Sequence, residues 1–529
     1  MDSKDVQALM KRRGRAVARA SNWIKLLRNA YSLSQPNRNV FQLEIADGAN
    51  KNFYAYDGTL ILATRRFVNK MQSSLVPQNI NWFQFSLSDS FIRAVKEELE
   101  DEDLIQEFLD KAEILLQERT DTFFDYLRSS NFDPIINEAF YDMAVSTGAL
   151  QINEGTDKEP IIFSAIPADK IYFCEGPWGT IDTVFRDFID IEVETAKNMW
   201  QGFKMPATFR TDGDPYQSIT LYECSYYDYN DEIYKTCIIE KSTMETCYEV
   251  EEESWPFIIF RWMKLSTEVQ GRGPVLDAFP TAATLNEAFQ DELLAAELQA
   301  KPIYMGFSDG LFNPHTFRVA SNTIIPVNPL ASGGAWPIQP LPKSGDIAFG
   351  AIVINDLRTQ INDIMFNSPL GPIQDAPPLT ATEVSIRQNE MIEDAAASFA
   401  RLQRELFHPL IRRVLWILTK RGLMKPFEID GKVIDLKFRT PLSLGKGQID
   451  VNQFMLFHQN LVTIFGPEAA QAFIQVNKIP KYIGENMNVN LPLIKSEAEI
   501  IETIEALRDE AQKMQEQQQQ GATNGQIAA

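Results

Sequence analysis

The feature of this sequence that most constrains its fold is a change of hydrophobic periodicity along the chain. From about residue 160 to 265, runs of β-branched and aromatic residues alternate with Gly, Pro, Asn and Asp, as is typical of short strands. The clearest of these runs are 217–227, 233–241 and 256–265. On both sides of this region, apolar residues recur every three or four positions, which predicts amphipathic helices. The sequence therefore predicts an α+β fold that is predominantly helical.

Two helices frame an irregular stretch after the strands. Apolar residues at helical spacing predict helices over 274–300 and 346–366, and the residues between them, 301–345, are rich in Pro, Gly and Asn. Each apolar stripe is narrow, so each helix needs a neighbour to bury it. The stripes consist of Leu285, Phe289, Leu293, Ala296 and Ala300 in the first helix and of Ile347, Ala351, Ile354, Leu357, Ile361 and Ile364 in the second.

A third, longer helix is predicted after the proline-rich stretch 367–379. It opens with a capping box, Thr380-x-x-Glu383, and ends at Gly422. At this length it would extend on the order of 60 Å. Pro409 falls inside it and removes one backbone hydrogen bond, which predicts a kink. A short strand pair with an Asp-Gly turn, 427–439, follows the helix.

Charge is distributed unevenly along the 529 residues, whose net charge is −22. Residues 11–31 are basic, which is typical of a solvated or subunit-contacting helix face; the alternative is an arm that contacts an anion or nucleic acid. Residues 96–113 carry nine carboxylates, and Ile105, Leu109, Ala112, Leu116 and Phe123 recur there or just beyond at helical spacing. This pattern predicts an amphipathic helix with an acidic, solvated face rather than a metal site. The overall balance argues against tight, sequence-independent binding of nucleic acid by the whole surface.

Cysteine and histidine usage excludes several kinds of site. The four cysteines contain no C-x-x-C pair, so we expect reduced thiols in strands or the core rather than a disulfide or zinc framework. The three histidines, His315, His408 and His458, are far apart, which excludes an H-E-x-x-H metal site. No apolar run approaches the roughly 18–20 residues that span a bilayer, and the first residues lack the features of a signal peptide. We expect a soluble protein made in a cytoplasm, without a metal or membrane partner.

The stretch 271–274 invites a search for a phosphate site, because two glycines flank an arginine at the start of a helix. A P-loop is absent, and Leu276 occupies the position where a dinucleotide fingerprint has its third glycine. The chain also lacks a G-x-S-x-G elbow. We therefore expect no enzymatic activity and no cofactor; nucleotide binding or turnover would contradict this. The better interpretation of Gly271, Arg272, Gly273 and Pro274 is a strand-to-helix corner. We expect the two glycines to adopt conformations that other residues resist, Arg272 to be an anchor and Pro274 to lie in the first turn of the helix.

Three separated blocks of the sequence resemble one known family. The runs 271-GRGPVLDAFPTAATLNE-287, 380-TATEVSIRQNE-390 and 399-FARLQRELFHPLIRRVLWILTKRG-422 resemble the portal (head-to-tail connector) proteins of short-tailed, T7-like bacteriophages. The run 56–85 resembles the early region of the same family. The resemblance covers roughly residues 10 to 480, and the blocks occur in the order that the family has.

The resemblance implies a portal-type subunit with wing, stem, clip and crown. The implied segments are the N-terminal part of the wing (1–265), the first stem helix (266–300), the clip (301–345), the second stem helix (346–366), the tunnel loop (367–379), the long kinked helix with wing strands (380–449), the crown helices (450–514) and a disordered tail (515–529).

The resemblance also implies a function. Identical subunits would form a ring, typically a dodecamer, at one vertex of the capsid, with double-stranded DNA passing through its channel. DNA would be packaged through it by a separate terminase motor, whose large subunit binds the ring, and would later be ejected. Further implied partners are the tail adaptor, scaffolding and major capsid proteins, and the protein would belong to the virion after synthesis in the host cytoplasm. The alternative is an adaptor or collar ring that contacts no DNA.

Candidate site residues follow from this assignment. Glu287 and Asp291 lie one turn apart on the first stem helix and would face the channel, where negative charge repels phosphates; alternatively they pair with basic residues of the adjacent subunit. Lys343 is a candidate phosphate-facing cation. The tunnel loop would approach DNA by steric or weak polar contact, or be an ordered loop without such contact. Its candidate residues are Asn367, Ser368, Leu370, Gln374 and Asp375.

Overall fold

A computed structural model defines the fold. It describes residues 3–38, 41, 55–98, 102–206, 216–301, 304–306, 338–340, 347–367, 398–425, 434–438, 441–466, 473–474 and 479–487.

Helices dominate both ends of the described chain, and strands dominate its middle. The helices are α1 (Ser3–Ser21), α2 (Ile24–Ser34), α3 (Thr59–Leu75), α4 (Asp89–Glu98), α5 (Glu102–Ser129), α6 (Phe132–Val145), α7 (Val193–Met199), α8 (Pro274–Ala300), α9 (Ile347–Ile364), α10 (His408–Lys420), α11 (Pro441–Phe465) and α12 (Ile479–Met487). The strands are β1 (Phe83–Leu87), β2 (Thr147–Glu154), β3 (Ile161–Ala165), β4 (Ile171–Glu175), β5 (Ile181–Glu192), β6 (Ser218–Asp228), β7 (Ile233–Glu240), β8 (Thr246–Glu252), β9 (Phe257–Arg261), β10 (Tyr304–Gly306), β11 (Ile338–Pro340) and β12 (Ile434–Phe438). The α+β class expected from periodicity is confirmed.

Antiparallel pairing organises the strands into separate sheets. Five strands follow one another in the order β4-β5-β6-β7-β8, and a second sheet has the order β3-β2-β9. The strand region therefore begins at Thr147, earlier than the residue 160 expected from composition. The pairing of β2 with β9 places Thr147 opposite Arg261. The start of the first strand after α6 thus lies beside the last strand before α8.

An aromatic cluster fills the main core. Trp82, just before β1, and Phe83, its first residue, contact Phe124 of α5 with ring centroids 5.5 and 4.9 Å away. Trp82 also contacts Phe407, at 5.0 Å. These buried rings hold α5, β1 and the segment before α10 in one hydrophobic unit.

The strand predicted after the long helix pairs with a distant part of the chain. Residues 434–438 form β12, whose partner is β1, with Phe83 opposite Phe438 and Leu87 opposite Ile434. The first half of the predicted pair, 427–433, lies outside the described residues. A local Asp-Gly signal carries no information about a partner hundreds of positions earlier, so the sequence could not indicate this pairing.

The basic helix α1 packs on the five-stranded sheet. Val6, Leu9 and Ala16 are buried against Phe185 and its neighbours in the sheet. Arg12 pairs with Asp182 at 2.7 Å, and Arg13 pairs with Asp187 at 2.5 Å while stacking over the ring of Tyr222. Two of the arginines in the basic segment are therefore neutralised by the chain's own sheet. All four cysteines are buried free thiols in strands of this same sheet.

A π-helical turn precedes Pro409. Residues 398–402 are helical and Gln403–Phe407 form the π turn, in which the N–H of His408 donates to the carbonyl of Gln403. Pro409 then occupies the first turn of α10, where its missing N–H is tolerated. The disturbance predicted at Pro409 is thus accommodated by a π turn. Gly422 ends the helix with φ of 71°, as a left-handed C-terminal glycine does. Residues 380–397, with the predicted capping box, lie outside the described part.

A buried polar triad fixes the end of α2 against α6. The hydroxyl of Tyr31 donates to Asp142 Oδ1 at 2.7 Å, and Arg38 donates to both oxygens of Asp142 at 2.8 and 3.1 Å. Burial raises the pKa of Asp142 to about 6, against the opposing effects of Arg38 and Tyr31.

This triad makes folding stability depend on pH. Because the folded pKa of Asp142 lies above that of an unfolded Asp, the protonated form stabilises the fold below about pH 4, and this contribution is lost as pH rises through 6. Asp142→Asn keeps hydrogen-bonding groups and removes the titration. The free energy of unfolding of the variant should rise relative to wild type by about 2 kcal/mol between pH 4 and 7, as measured by denaturant titration. A difference independent of pH would contradict this.

Candidate functional site at the sheet-to-helix corner and the helix pair

The chain turns from the sheet into α8 at residues 271–274. The N–H of Gly271 donates to Thr147 Oγ1 at 2.9 Å, and the N–H of Gly273 donates to the carbonyl of Val145 at 3.0 Å. The hydroxyl of Ser146 donates back to the carbonyl of Gly271 at 3.1 Å. The corner is therefore bonded to the junction between α6 and β2, which brings the start of α8 into the body of the fold.

The two glycines are required by close approach rather than by unusual backbone angles. Gly273 has φ of −96° and ψ of 165°, which other residues adopt freely. A Cβ atom on Gly273 would lie 2.1 Å from the carbonyl oxygen of Ala144, and one on Gly271 would lie 2.7 Å from the carbonyl oxygen of Ser146. The prediction that these glycines adopt conformations which other residues resist is therefore wrong for Gly273, where the close approach of α6 requires glycine instead.

Arg272 and Pro274 complete the corner. Arg272 donates to both carboxylate oxygens of Glu268 at 2.8 and 2.7 Å, and its guanidinium lies 4.9 Å from the ring centroid of Trp23. Hydrogen bonding to Glu268, opposed by partial burial, raises the pKa of Arg272. Its backbone bridges to Met263. Arg272 thus connects the corner to the turn between α1 and α2, and Pro274 occupies the first turn of α8.

A buried ionic cluster lies directly beside the corner. Arg261, at the end of β9, is 2% exposed and donates to Glu405 through its Nε and Nη2 at 3.1 and 2.8 Å. Its backbone N–H also donates to Glu405, at 3.0 Å, and its Nη1 donates to Glu175 at 2.7 Å. Lys264 pairs with Glu175 as well. Burial lowers the pKa of Arg261, but its bonds to Glu405 and Glu175 outweigh this and raise it, so it stays charged.

This cluster depends on residues that sequence reasoning missed. Glu405 lies in the π turn before α10, and the wider turn directs its carboxylate at β9. Charged residues in an apolar run, such as Arg261 in FIIFRW and Arg413 in LIRRVLW, were the available signal. Arg413 is also 2% exposed, and donates to the carbonyl of Ser254 and to Glu252.

The helix pair α8 and α9 is anchored at its base. Arg358 of α9 donates to Asp57 at 2.7 and 3.0 Å and lies over the ring of Phe289 of α8. Asn286 of α8 accepts the N–H of Tyr56 at 2.7 Å. Asp57 is buried, which alone would raise its pKa, but bonds from Thr59 and Arg358 lower it. The segment before α3 therefore holds both helices together.

The chain leaving α9 is fixed to α3. The side-chain amide of Asn367 donates to the carbonyl of Ala63 at 2.6 Å, and Lys70 donates to the carbonyl of Phe366 at 2.8 Å. Burial lowers the pKa of Lys70. Of the predicted tunnel-loop residues, Asn367 is thus a packed residue at the root of the loop. The others, Ser368, Leu370, Gln374 and Asp375, lie outside the described residues, as does Lys343.

The outer face of α8 combines carboxylates with leucines. Glu287 and Asp291 are exposed, and at about 100° per residue they share a face with Leu294 and Leu298, opposite the buried Leu285. Leu294 and Leu298 are 50% and 55% exposed, and Ile352 of α9 is 68% exposed. Beyond α8, strand β10 pairs with β11, which brings the two ends of the 301–345 segment together.

The described residues offer little for chemistry on a small molecule. Within them, His, Cys, Asp and Glu side chains form no cluster that could hold a metal ion. Across the same ranges, no helix combines the length and apolar character needed to cross a membrane. The corner and the contacts of Asp57 and Asn286 attach α8 and α9 to the body of the fold. The outer surface of these two helices is partly apolar.

Comparison with known proteins gives one family. The model of a family described as bacteriophage head to tail connecting protein matches residues 6–493. Among solved structures, a chain from the neck of an empty GTA particle, computed with C6 symmetry, is similar with a TM-score of 0.37 and 12% identity, over 82% of this chain and 91% of that one. No curated protein matches. The family match spans the corner and both helices of the pair.

Substitution of Gly273 tests the close approach at the corner. Gly273→Ala places a methyl group against the backbone of α6, so we expect the free energy of unfolding to fall by roughly 1–3 kcal/mol. Gly14→Ala is the control, since nothing lies within 4 Å of its added Cβ. That change should stabilise α1 by about 0.5–1 kcal/mol. Equal effects in denaturant titrations would contradict the steric explanation.

Substitution of Arg261 tests the buried ionic cluster. Arg261→Met removes the buried guanidinium from the partly buried Glu405 and Glu175, so we expect a loss of about 3 kcal/mol of unfolding free energy, the lower end for a broken buried pair, because Arg401 and Lys264 still pair with these carboxylates. Lys301→Ala removes an exposed ion pair with Glu297 and should change stability by less than about 0.5 kcal/mol. A small effect of Arg261→Met in chemical denaturation would show that the cluster is not structurally important.

Proposed function

Because this chain belongs to the family of bacteriophage head to tail connecting proteins, we propose that it is the portal protein of its phage. Members of this family are structural components of the virion. In the proposed function, identical subunits form a ring at one capsid vertex. DNA is packaged through the ring by a separate terminase motor and later ejected, and the tail attaches to the ring's outer end. Synthesis takes place in the host cytoplasm.

The observation that carries the proposal is the apolar outer surface of the helix pair. Leu294, Leu298 and Ile352 lie at the surface of one subunit, although α8 and α9 are firmly anchored at their base. Burying a Leu or Ile side chain stabilises by roughly 1.5–3 kcal/mol. A closed ring of identical subunits supplies the same neighbour to every copy and would bury these side chains.

We propose the following segments for the portal subunit. In the proposal, α8 and α9 are the stem, the β10–β11 ladder is the base of the clip, and Asn367 is the root of the tunnel loop. The helices and sheets before residue 265 form the wing, and α11 and α12 belong to the crown region, with α11 beginning earlier than residue 450. The clip is the proposed contact for the terminase large subunit and the tail adaptor. Scaffolding and major capsid proteins would contact the outside of the ring, which we propose is a dodecamer.

The carboxylates of α8 have two possible roles in such a ring. As channel residues, Glu287 and Asp291 would repel phosphates and keep DNA mobile, because few counterions are released on contact. As interface residues they would pair with cations of the adjacent subunit, and their place on the same face as Leu294 and Leu298 favours this role. Glu287→Gln with Asp291→Asn separates the roles: altered packaging by intact rings supports the first, and failure of ring assembly supports the second.

A second candidate is an adaptor or collar ring that contacts no DNA. Deletion of the gene distinguishes the two. Loss of a portal leaves shells without packaged DNA, whereas loss of an adaptor leaves heads that package DNA but lack tails.

Leucine substitutions on α8 test ring formation. We expect the purified full-length chain to form a ring by native mass spectrometry and electron microscopy. Leu294→Gln with Leu298→Gln should reduce the ring fraction without lowering helix content by circular dichroism, because both side chains lie on the surface of the single subunit. Leu62→Gln, at a similarly exposed leucine of α3, is the control and should leave rings intact. A wild-type chain that stays monomeric in every buffer would overturn the proposed function.

A further inference from the structure

The outer face of α1 carries a row of cations separated by small residues. Lys4, Lys11, Arg15 and Arg19 are all exposed and fall within about 100° of one another around the helix, opposite the buried Val6. Within the described ranges, Lys11, Arg15 and Arg19 have no side-chain ion pair, in contrast to Arg12 and Arg13, which pair with the sheet. Exposed Ala8 and Ala18 lie on the same face, so another helix could approach it closely.

A face of α5 has the opposite character. Phe108, Ile114 and Leu115 are 48%, 55% and 48% exposed. Glu118 and Asp125 are exposed on this same face, which also includes Asp121. These six side chains and the exposed Lys111 lie within about 140° around the helix, so the described charges of this face are three carboxylates and one cation. Large apolar side chains beside carboxylates on one exposed helix face are unusual for a surface that meets only water.

The two faces match in length and are held apart within one subunit. Lys4 to Arg19 spans about 22 Å along α1, and Phe108 to Asp125 spans about 25 Å along α5. In the single chain α1 packs on β4 and its sheet, whereas α5 packs on β1, α4 and α6. The basic and the acidic face therefore lie on different elements with different packing partners.

We propose that α1 of one subunit docks its cationic face on the apolar and acidic face of α5 in a second copy of this chain. The alanines of α1 cover Phe108, Ile114 and Leu115, and Arg15 and Arg19 pair with Glu118 and Asp125. Two different surfaces of the same chain then form a heterologous contact, which generates a ring when the rotation between neighbouring subunits closes. The inference rests on the proposed function in requiring a ring, and it names the surfaces that hold neighbouring subunits together outside the helix pair.

Charge favours a second copy over nucleic acid as the occupant of the basic face. The chain's net charge is −22, so a duplex approaching α1 meets a predominantly negative surface. A second copy of the chain offers α5, which presents carboxylates and apolar side chains on one face. A phosphate backbone would supply the negative charge but not the apolar contact.

Charge reversal on each face, alone and together, tests this contact. One full-length variant carries Arg15→Glu and Arg19→Glu, a second carries Glu118→Arg and Asp125→Arg, and a third carries all four changes. Each pair alone places like charges opposite each other, so the ring fraction measured by native mass spectrometry near the assembly midpoint should fall about tenfold or more. The four changes together restore opposite charges and should restore rings. Because the sites are exposed, melting followed by circular dichroism should be unchanged.

Lys158→Glu with Lys241→Glu is the control matched to Arg15→Glu with Arg19→Glu, since both pairs change net charge by −4; its two positions are exposed and lie outside α1 and α5, and it should leave the ring fraction unchanged. Rings unaffected by either pair, or lost in both and not restored by the four changes, overturn the docking while leaving the proposed function in place. A monomeric wild type overturns both. Fluorescence anisotropy with a labelled 20-base-pair duplex tests whether the basic face binds nucleic acid. If the duplex binds tightly, and Arg15→Glu with Arg19→Glu abolishes this binding while rings persist, the face binds nucleic acid instead of a second copy.

Discussion

The buried contact between Arg261 and Glu405 is the interaction on which the arrangement of the rest depends. It connects the last strand before the corner to the π turn before α10, while Glu175 adds the edge strand β4 of the larger sheet. Three elements that are far apart in sequence thereby meet at the point where α8 leaves the body. A buried ion pair adds little net stability compared with a pair of well-packed apolar residues in the same place. Its hydrogen bonds, however, form in only one geometry. Its value here is therefore positional, because it fixes the direction in which the helix pair projects.

The corner at residues 271–274 then fixes the position of the first turn of α8. Gly271 and Gly273 allow the chain to lie directly on the backbone of the α6–β2 junction, and their N–H groups bond to it. Asp57 and Arg358 then hold α9 to the same body. Flexible mounting would let the exposed leucines of α8 fold back onto their own subunit. Because α8 is anchored at its base, its leucines stay at the surface of the subunit. In the proposed ring, a neighbouring copy covers them and removes them from water.

Sequence reasoning recovered what is encoded locally. Helical periodicity gave α8 and α9 to within a residue or two, and Gly422 marked the end of α10, because each signal lies within a few residues of the structure that it specifies. The pairing of β12 with β1 and the choice of Glu405 as the partner of Arg261 are long-range facts. A local sequence pattern cannot predict them, because many carboxylates in the chain could form an ion pair with an arginine, and only the fold determines which one does. The same limit applies to Gly273. Glycine is required there because Ala144, in another helix, leaves no room for a side chain.

The uneven charge of the chain has a consequence for assembly. Copies that each carry a net charge of −22 repel one another, and the proposed ring must overcome this repulsion at every interface. Concentrating cations on α1 and carboxylates near α5 turns part of the repulsion into a directional attraction, since only one orientation of neighbours brings the opposite charges together. Because such attraction is screened within about 8–10 Å at physiological salt, it selects the orientation at contact rather than at a distance. The apolar surfaces of α5 and of the helix pair would then hold the selected arrangement, so that charge sets the geometry and hydrophobic burial sets the strength.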